Sequence, residues 1–231
     1  LNGGRLPEKL KVPENIEIIN LPPLGFDANN QLVSLDKRRT VERCQTLREA
    51  AIIETFDRKK PSAIIIELFP FGRKKFRNEL LPLLELAKGK AKIICSLRDI
   101  LVGQRRDQAR HEERAVTIAN EFFDAILVHS DKDFATLEDT FHPATPLKVP
   151  VFYTGFVAKS DALNFDKKNK NQVIVSAGGG MVGENLLQTA IDAKDFLPQN
   201  VNIKLITGPF LPAESFNRFQ ALANEKTNIE L

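Results

Sequence analysis

Short apolar runs alternate along the chain with longer segments of helical periodicity. The runs at residues 63–67, 91–95, 124–129 and 203–207 are rich in β-branched residues, as is typical of strands in a parallel sheet. Between them, apolar residues recur every three or four positions, as in amphipathic helices. The pattern predicts an α/β fold with doubly wound parallel sheets, in which ligands bind at the carboxyl ends of the strands.

Polar residues next to these periodic segments predict where other elements begin. Residues 16–21 form an apolar run that predicts a further strand. Asp36 is predicted to cap the first long helix, whose Arg and Glu side chains are expected to face water. Ser130 and Asp133 resemble a capping box, and they predict a helix that carries Phe134 on its inner side.

One polar run divides the chain into two parts. Residues 159–172 are rich in Lys, Asn and Asp, which predicts a linker between a Rossmann-like domain at residues 1–158 and a second one at residues 173–231. The second part has too few elements to close a nucleotide-binding domain. We therefore expect the second domain to be truncated. The sequence starts at Leu1 with a turn-like Asn-Gly-Gly at residues 2–4, so we also expect the first domain to lack its first strand, loop and helix here.

Composition narrows the class of protein. The 231 residues carry a net charge of +3, which is too small to indicate a nucleic-acid partner. Cys44 and Cys95 lie in apolar patterns without metal-ligand spacing, which predicts reduced, buried thiols and a cytoplasmic location. No apolar run is long enough to span a bilayer, so any membrane contact is expected to be peripheral.

The segment at residues 173–187 passes from a strand through three glycines into an amphipathic helix. Glycines allow a sharp turn, and the first amides of the following helix point towards that turn with the positive end of the helix dipole. This arrangement is typical of a phosphate-binding loop. The predicted diphosphate-binding residues are Ser176, Gly178, Gly179, Gly180, Met181 and Gly183.

The same glycines leave two alternatives open. The spacing of Gly178, Gly180 and Gly183 also satisfies the dinucleotide-binding fingerprint, but no acidic residue follows the strand at residues 203–207 to bind the ribose. Three glycines can also serve only as a strand-to-helix turn.

Chemically versatile residues follow three successive predicted strands. Glu67 ends the first, Arg98 and Asp99 follow the second, and His129 and Asp131 follow the third. A parallel sheet would bring them to one edge, where Glu67, Asp99 or His129 is a candidate general base and Arg98 a candidate phosphate ligand. The alternative is structural, because strand-end acids often cap helices and Arg98 could pair with Asp99.

A basic segment follows the first of these strands. Four cations occupy residues 73–77, next to Phe71. Together with Arg98, the residues Phe71, Arg73, Lys74 and Lys75 predict an anion-binding cleft, and the alternative is a solvated start of a helix.

Other chemistries are less well supported. His111 and His142 have no cysteine or acid at ligand spacing, so no metal site is predicted. The chain contains neither a Gly-x-Ser-x-Gly turn nor a Walker-type Gly-Lys-Ser or Gly-Lys-Thr.

Five segments carry a resemblance to a known family. They are residues 67–76, 96–101, 153–157, 176–180 and 207–209, which together span nearly the whole chain. They resemble the predicted glycosyltransferases related to the UDP-N-acetylglucosamine transferase of peptidoglycan synthesis, within glycosyltransferase family 28.

The resemblance implies a GT-B architecture, with two Rossmann-like domains on either side of a cleft. The C-terminal domain would bind a nucleotide-sugar donor, UDP-linked, with Thr207, Gly208 and Pro209 on the nucleotide side. The N-terminal domain would bind an acceptor whose identity the sequence does not name. Such enzymes look like inverting transferases that use one general base, with neither a metal nor a separate cofactor, and the loop amides would stabilise the leaving diphosphate.

The chain departs from the family pattern at both ends. The glycine-rich, His-containing loop that opens family members and the Glu-bearing region that reads the ribose are not in these residues. The general base is therefore unassigned, and we expect these residues alone not to turn over. Two alternatives stay open: a non-catalytic nucleotide or sugar-phosphate binding protein of the same fold, and a dinucleotide-dependent oxidoreductase.

Overall fold

The computed structural model describes residues 1–4, 6–7, 10–27, 31–98, 101, 106–157 and 171–231. The chain forms two compact units. The first comprises Leu1–Arg5 and Asn15–Lys159, and the second comprises Leu6–Glu14 and Ser160–Leu231. Both contain a parallel sheet and helices, which confirms the predicted α/β class.

The first unit begins with a small antiparallel hairpin. Its strands are β1 (Leu24–Phe26) and β2 (Leu32–Ser34). The prediction of a strand at residues 16–21 is wrong, because that segment forms only an isolated bridge between Asn20 and Asn2. With a single bridge, the segment lacks the ladder of backbone hydrogen bonds that defines a strand.

The main sheet of the first unit has four parallel strands in the order β3-β4-β5-β6. Three helices accompany it, and the shared core consists of apolar side chains from all of these elements. In chain order, the elements are α1 (Val41–Lys59), β3 (Ala63–Glu67), α2 (Arg77–Ala87), β4 (Lys92–Leu97), α3 (Gln108–Phe122), β5 (Ala125–Val128) and β6 (Val151–Tyr153).

The helices of this unit pack on one face of the sheet. Each strand lies beside its predecessor in the same direction, and right-handed crossovers then place the connecting helices on one side. Ile66, Ile93 and Ile126 face the helices and are buried, whereas Ile65 on the opposite face is 65% exposed. The continuous apolar run at residues 63–67 predicts a strand buried on both faces, and for β3 that prediction is wrong.

Helix α1 begins later than predicted. Its apolar spacing predicts an inner face of Val41, Cys44, Leu47 and Ala51, and the helix buries a different stripe. Thr40 caps it by accepting a hydrogen bond from the Arg43 amide, whereas Asp36 accepts one from the Arg38 amide in the preceding turn. Its buried residues are Cys44, Arg48, Ile52 and Phe56, which recur every four positions.

Arg48 is a buried charge, although the Arg side chains of α1 were predicted to face water. Its guanidinium donates to both carboxylate oxygens of Glu79 on α2, at 2.7 and 2.6 Å. It also donates to the carbonyls of Gly3 and Pro22, at 3.0 Å each. A buried ion pair is tolerated only when its hydrogen bonds are satisfied. Arg48 meets that condition and joins α1, α2 and the first residues of the chain.

The segment after β5 is not the helix that Ser130 and Asp133 predicted. Asp131 accepts a hydrogen bond from the Asp133 amide in a local turn, and only residues 137–139 form a 3₁₀ turn, which Thr136 caps. Ser and Asp side chains often bind nearby backbone in this way, which competes with helix formation. Phe134 is consequently 74% exposed.

The second unit repeats the same plan on a smaller scale. Three parallel strands lie in the order β7-β8-β9, and both helices supply its core. Leu187, Ala190 and Ile191 of α4 face that core. The elements are β7 (Gln172–Ser176), α4 (Glu184–Ala193), β8 (Asn202–Ile206), α5 (Ala213–Asn224) and β9 (Ile229–Glu230).

Candidate functional site

Polar side chains from four adjacent strand ends converge at the carboxyl edge of the first sheet. Glu67 ends β3, Ser96 lies near the end of β4, and His129 and Thr154 directly follow β5 and β6. Ligands in open α/β sheets bind at this edge. Glu67 and His129 were predicted to meet here, whereas Ser96 and Thr154 were not singled out.

His129 is hydrogen-bonded on both ring nitrogens. Nε2 lies 2.8 Å from Ser96 Oγ, and Nδ1 lies 2.8 Å from Thr154 Oγ1. The Thr154 hydroxyl donates to the Gly155 carbonyl at 3.0 Å, so its oxygen is left to accept the Nδ1 proton. In the neutral ring Nε2 is then the acceptor, and Ser96 donates its hydroxyl proton to it.

Glu67 is engaged by two guanidinium groups. Arg73 donates to its Oε2 at 2.7 Å, and Arg98 Nε lies 3.2 Å from its Oε1. A carboxylate that already neutralises two cations is less available as a general base than His129. Arg98 therefore pairs with Glu67. Asp99, its predicted partner and a candidate base, lies outside the described residues.

The loop between Glu67 and Arg73 has an unusual backbone. Leu68 has a φ of +66° and Arg73 a φ of +57°, both in the left-handed region that residues other than glycine rarely adopt. Such strain is often found at functional sites, where the surrounding structure maintains it. Here the two positions flank a loop that places the Arg73 side chain on Glu67.

The basic segment does not form one cleft. Phe71 is buried against Phe141, with ring centroids 5.0 Å apart, so it is a core residue. Lys75 lies over the ring of Phe26, 4.9 Å from its centroid, and Lys74 lines a separate small cavity beside α3. Of the predicted anion ligands, only Arg73 and Arg98 meet at the strand ends.

A cavity of about 200 Å³ adjoins His129 at the same edge. Its floor is formed by Leu97, Val128 and Leu137, which are buried, and its rim includes Phe134 and Phe156. The cavity therefore combines an apolar floor with the imidazole of His129, and Arg98, Ser130, Thr136 and Thr140 complete its polar lining.

In the second unit, the glycine loop connects β7 to α4 as predicted. Gly178, Gly180 and Gly183 have φ values of +61°, +86° and +110°. The amides of Gly178 and Gly180 are used within the loop, by Ser176 Oγ at 3.2 Å and by the Ala177 carbonyl at 3.2 Å. Ser176 thus shapes the loop from inside.

The remaining amides of the loop have no protein acceptor in the described part of the chain. They belong to Gly179, Met181, Val182 and Gly183, and no side chain caps α4. Met181 and Val182 expose their side chains to solvent. The loop therefore presents open N–H donors at the positive end of a helix.

Two glycines of this region are required by packing. A Cβ on Gly180 would lie 2.4 Å from the Thr207 carbonyl oxygen, and one on Gly208 would lie 2.2 Å from the Gly178 carbonyl oxygen. The Phe210 amide also donates to the Gly179 carbonyl at 2.9 Å. The predicted nucleotide-side residues Thr207, Gly208 and Pro209 thus belong to a loop that packs against the glycine loop.

The first turn of α4 carries an acidic residue that the sequence analysis missed. Glu184 accepts hydrogen bonds from Ser215 and Arg218 of α5, both at 2.8 Å. The Arg218 cation offsets the negative charge at this helix end. These hydrogen bonds also join the start of α4 to α5.

The described residues provide neither a metal cluster nor a membrane-spanning helix. No three His, Cys, Asp or Glu side chains among them are clustered so as to hold a metal ion, and none of their helices has the length and hydropathy of a membrane span. Both cysteines are free and buried, as predicted, and burial raises the pKa of the Cys95 thiol to about 12.

The chain was also compared with known proteins. It matches no protein-family model, no curated protein and no solved structure. Function is therefore argued from the two sites themselves.

Proposed function

We propose that the protein is a glycosyltransferase that moves a sugar from a UDP-linked donor to a hydroxyl group of an acceptor, with inversion. The proposal includes a GT-B architecture of two Rossmann-like domains and action in the cytoplasm. Its main support is the set of four open amides before α4, at Gly179, Met181, Val182 and Gly183. Fixed N–H donors at a helix N-terminus suit a diphosphate.

The loop would act on the leaving group. When the bond between the anomeric carbon and the diphosphate oxygen breaks, its electrons pass to that oxygen, and negative charge grows there. Preorganised N–H donors stabilise such charge more in the transition state than in the ground state. Main-chain donors need no metal ion for this role, and Gly179 leaves space for the ligand because its nearest neighbour is Phe210, 3.7 Å from a hypothetical Cβ.

The strand ends of the first unit would supply the general base. The acceptor oxygen attacks the anomeric carbon and gives its proton to Ser96 Oγ, while the Ser96 proton moves to His129 Nε2. The distance of 2.8 Å between these two atoms permits that transfer. Thr154 keeps Nδ1 protonated, so Nε2 is the nitrogen that can receive the proton.

Calorimetric titration with UDP tests the loop. Gly179→Val places methyl groups over the open amides without a backbone clash, and the φ of Gly179 is not in the left-handed region. We expect UDP affinity to fall by at least about tenfold, which corresponds to about 1.4 kcal/mol. Gly180→Val is a poorer test, because its Cβ would disrupt loop packing whether or not UDP binds there.

The matched control is Ala221→Val, which adds the same side chain on an exposed position of α5. The control should bind UDP as the unchanged protein does, and both variants should keep its melting temperature. Equal UDP affinity in Gly179→Val and the unchanged protein would overturn the assignment of the loop. Absence of UDP binding to the unchanged protein would remove the UDP donor from the proposal.

A further inference from the structure

The cavity beside His129 has the properties of an aromatic binding site. Leu97, Val128 and Leu137 form a buried apolar floor. An engineered cavity of about 150 Å³ with such walls binds benzene. The cavity here, at about 200 Å³, therefore has room for one ring with a small substituent.

Three of the polar residues around the cavity, Arg98, Ser130 and Thr136, already have partners in the protein. Ser130 Oγ donates to the Ala135 carbonyl at 3.1 Å, and Thr136 caps the 3₁₀ turn together with Asp139. A sugar in this cavity would lose hydrogen bonds to water and find few replacements. An apolar ring makes no hydrogen bonds to water and would therefore lose none on entering the cavity.

The rim adds an aromatic pair. Phe134 and Phe156 are 74% and 66% exposed, and their rings meet edge to face with centroids 5.8 Å apart. Exposed phenylalanine side chains next to an apolar cavity favour a ligand that covers them. A third aromatic ring can pack against such a pair with a gain beyond its buried area.

We infer that this cavity is the acceptor subsite, and that the acceptor is a phenol-like compound whose single aromatic ring enters the cavity with its hydroxyl beside His129, at Ser96 Oγ. This inference rests on the proposed transferase activity. A phenolic hydroxyl is also a more acidic group than an alcohol, so a histidine-based relay can deprotonate it during attack. The proton goes to Ser96 and His129, and the leaving electrons go to the donor diphosphate.

Binding of 4-nitrophenol, followed by saturation-transfer NMR and by titration, tests the subsite without turnover. Phe134→Ala removes one exposed rim ring, and Phe196→Ala, at an 89% exposed phenylalanine of the second unit, is the matched control. We expect saturable binding that Phe134→Ala weakens about two- to tenfold and that the control leaves unchanged. N-acetylglucosamine, as a sugar probe, should bind more weakly than the phenol.

Three outcomes would overturn the inference: no saturable binding of 4-nitrophenol, equal weakening by both variants, or tighter binding of the sugar probe. UDP titration of the same proteins separates this result from the proposed function. UDP binding without phenol binding removes the subsite and leaves the donor site intact. Phenol binding without UDP binding supports the aromatic cavity and removes its role in glycosyl transfer.

Discussion

The carboxyl edge of the first sheet and the glycine loop of the second unit differ in the groups that are available to a ligand: side chains at the edge and main-chain amides at the loop. At the edge, Ser96, His129 and Thr154 interact through side chains. At the loop, the open groups are main-chain amides, and the conformation depends on glycines packed against a neighbouring loop. Proton transfer needs titratable side chains, whereas binding of a charged group needs only fixed donors. The two sites should therefore respond differently to substitution.

The largest expected effect separates proton transfer from donor binding. His129→Ala removes the proton acceptor and should lower turnover of the intact protein by about 10²- to 10⁴-fold, the usual contribution of general base catalysis. UDP affinity, measured by calorimetry, should not change, because His129 belongs to the first unit and the loop to the second.

His142→Ala is the matched control, since His142 is an exposed histidine of the same unit. It should retain full turnover. Comparable activity of His129→Ala and the control would contradict the assignment of the base, and a parallel loss of UDP affinity in His129→Ala would contradict the separation of the two sites.

The next effect concerns stability of the glycine loop. Gly208→Ala should destabilise the second unit by about 2–5 kcal/mol, because its Cβ would overlap the Gly178 carbonyl and its φ of +80° disfavours a side chain. Gly178→Ala has a positive φ but nothing within 4 Å, so it should cost only about 1–2 kcal/mol. Urea unfolding of each variant measures both values. Equal costs would show that packing between the loops does not matter.

Sequence pattern predicted the fold class well and its local exceptions poorly. The alternation of apolar runs and helical segments predicted β3, β4, β5 and β8, because that pattern reflects burial directly. It failed at Arg48, because a charged residue at a core position is recognisable only once Glu79 and the carbonyls around it are known. The helix predicted from Ser130 does not form, because serine and aspartate side chains favour turns as well as the first residues of helices.

The two sites differ in how far they could be predicted. The glycine loop is local in sequence, so its residues could be identified without a structure. In the relay, Ser96 is 33 positions from His129 and Thr154 is 25 positions from it, and their meeting depends on the register of three parallel strands. Serine and threonine are also too common at strand ends to stand out by type.

A smaller effect tests whether Thr154 orients His129. Thr154→Val removes the acceptor for the Nδ1 proton, and the loss of one hydrogen bond should lower turnover about tenfold and alter its pH profile. Thr154→Ser keeps the hydroxyl and should restore both. If Thr154→Val keeps the original pH profile, or if Thr154→Ser fails to restore it, Thr154 does not set the state of the ring.

The smallest expected effect compares one lysine-carboxylate pair from each unit. Each unit has a lysine-carboxylate pair between neighbouring strands, Lys92 with Asp124 at 2.7 Å and Lys204 with Glu230 at 2.9 Å. Asp124 also accepts the Ile93 amide at 2.9 Å. The hydrogen bond from Lys92, and after it the one from Ile93, lowers the pKa of the Asp124 carboxyl, although the side chain is 37% exposed and solvent screens the pair.

A lowered carboxyl pKa stabilises the folded state above the unfolded value of about 3.9, and that contribution is lost as the pH falls through the folded pKa below it. Asp124→Asn should therefore cost the first unit a few tenths of a kcal/mol at pH 7, as expected for a largely exposed pair, and nothing once the carboxyl is protonated. Glu230→Gln is the control from the second unit, where the described partner of the carboxylate is Lys204 alone. Urea unfolding at pH 7 and at about pH 3 measures the difference, and a cost for Asp124→Asn that does not decrease on acidification would show that charge is not its cause.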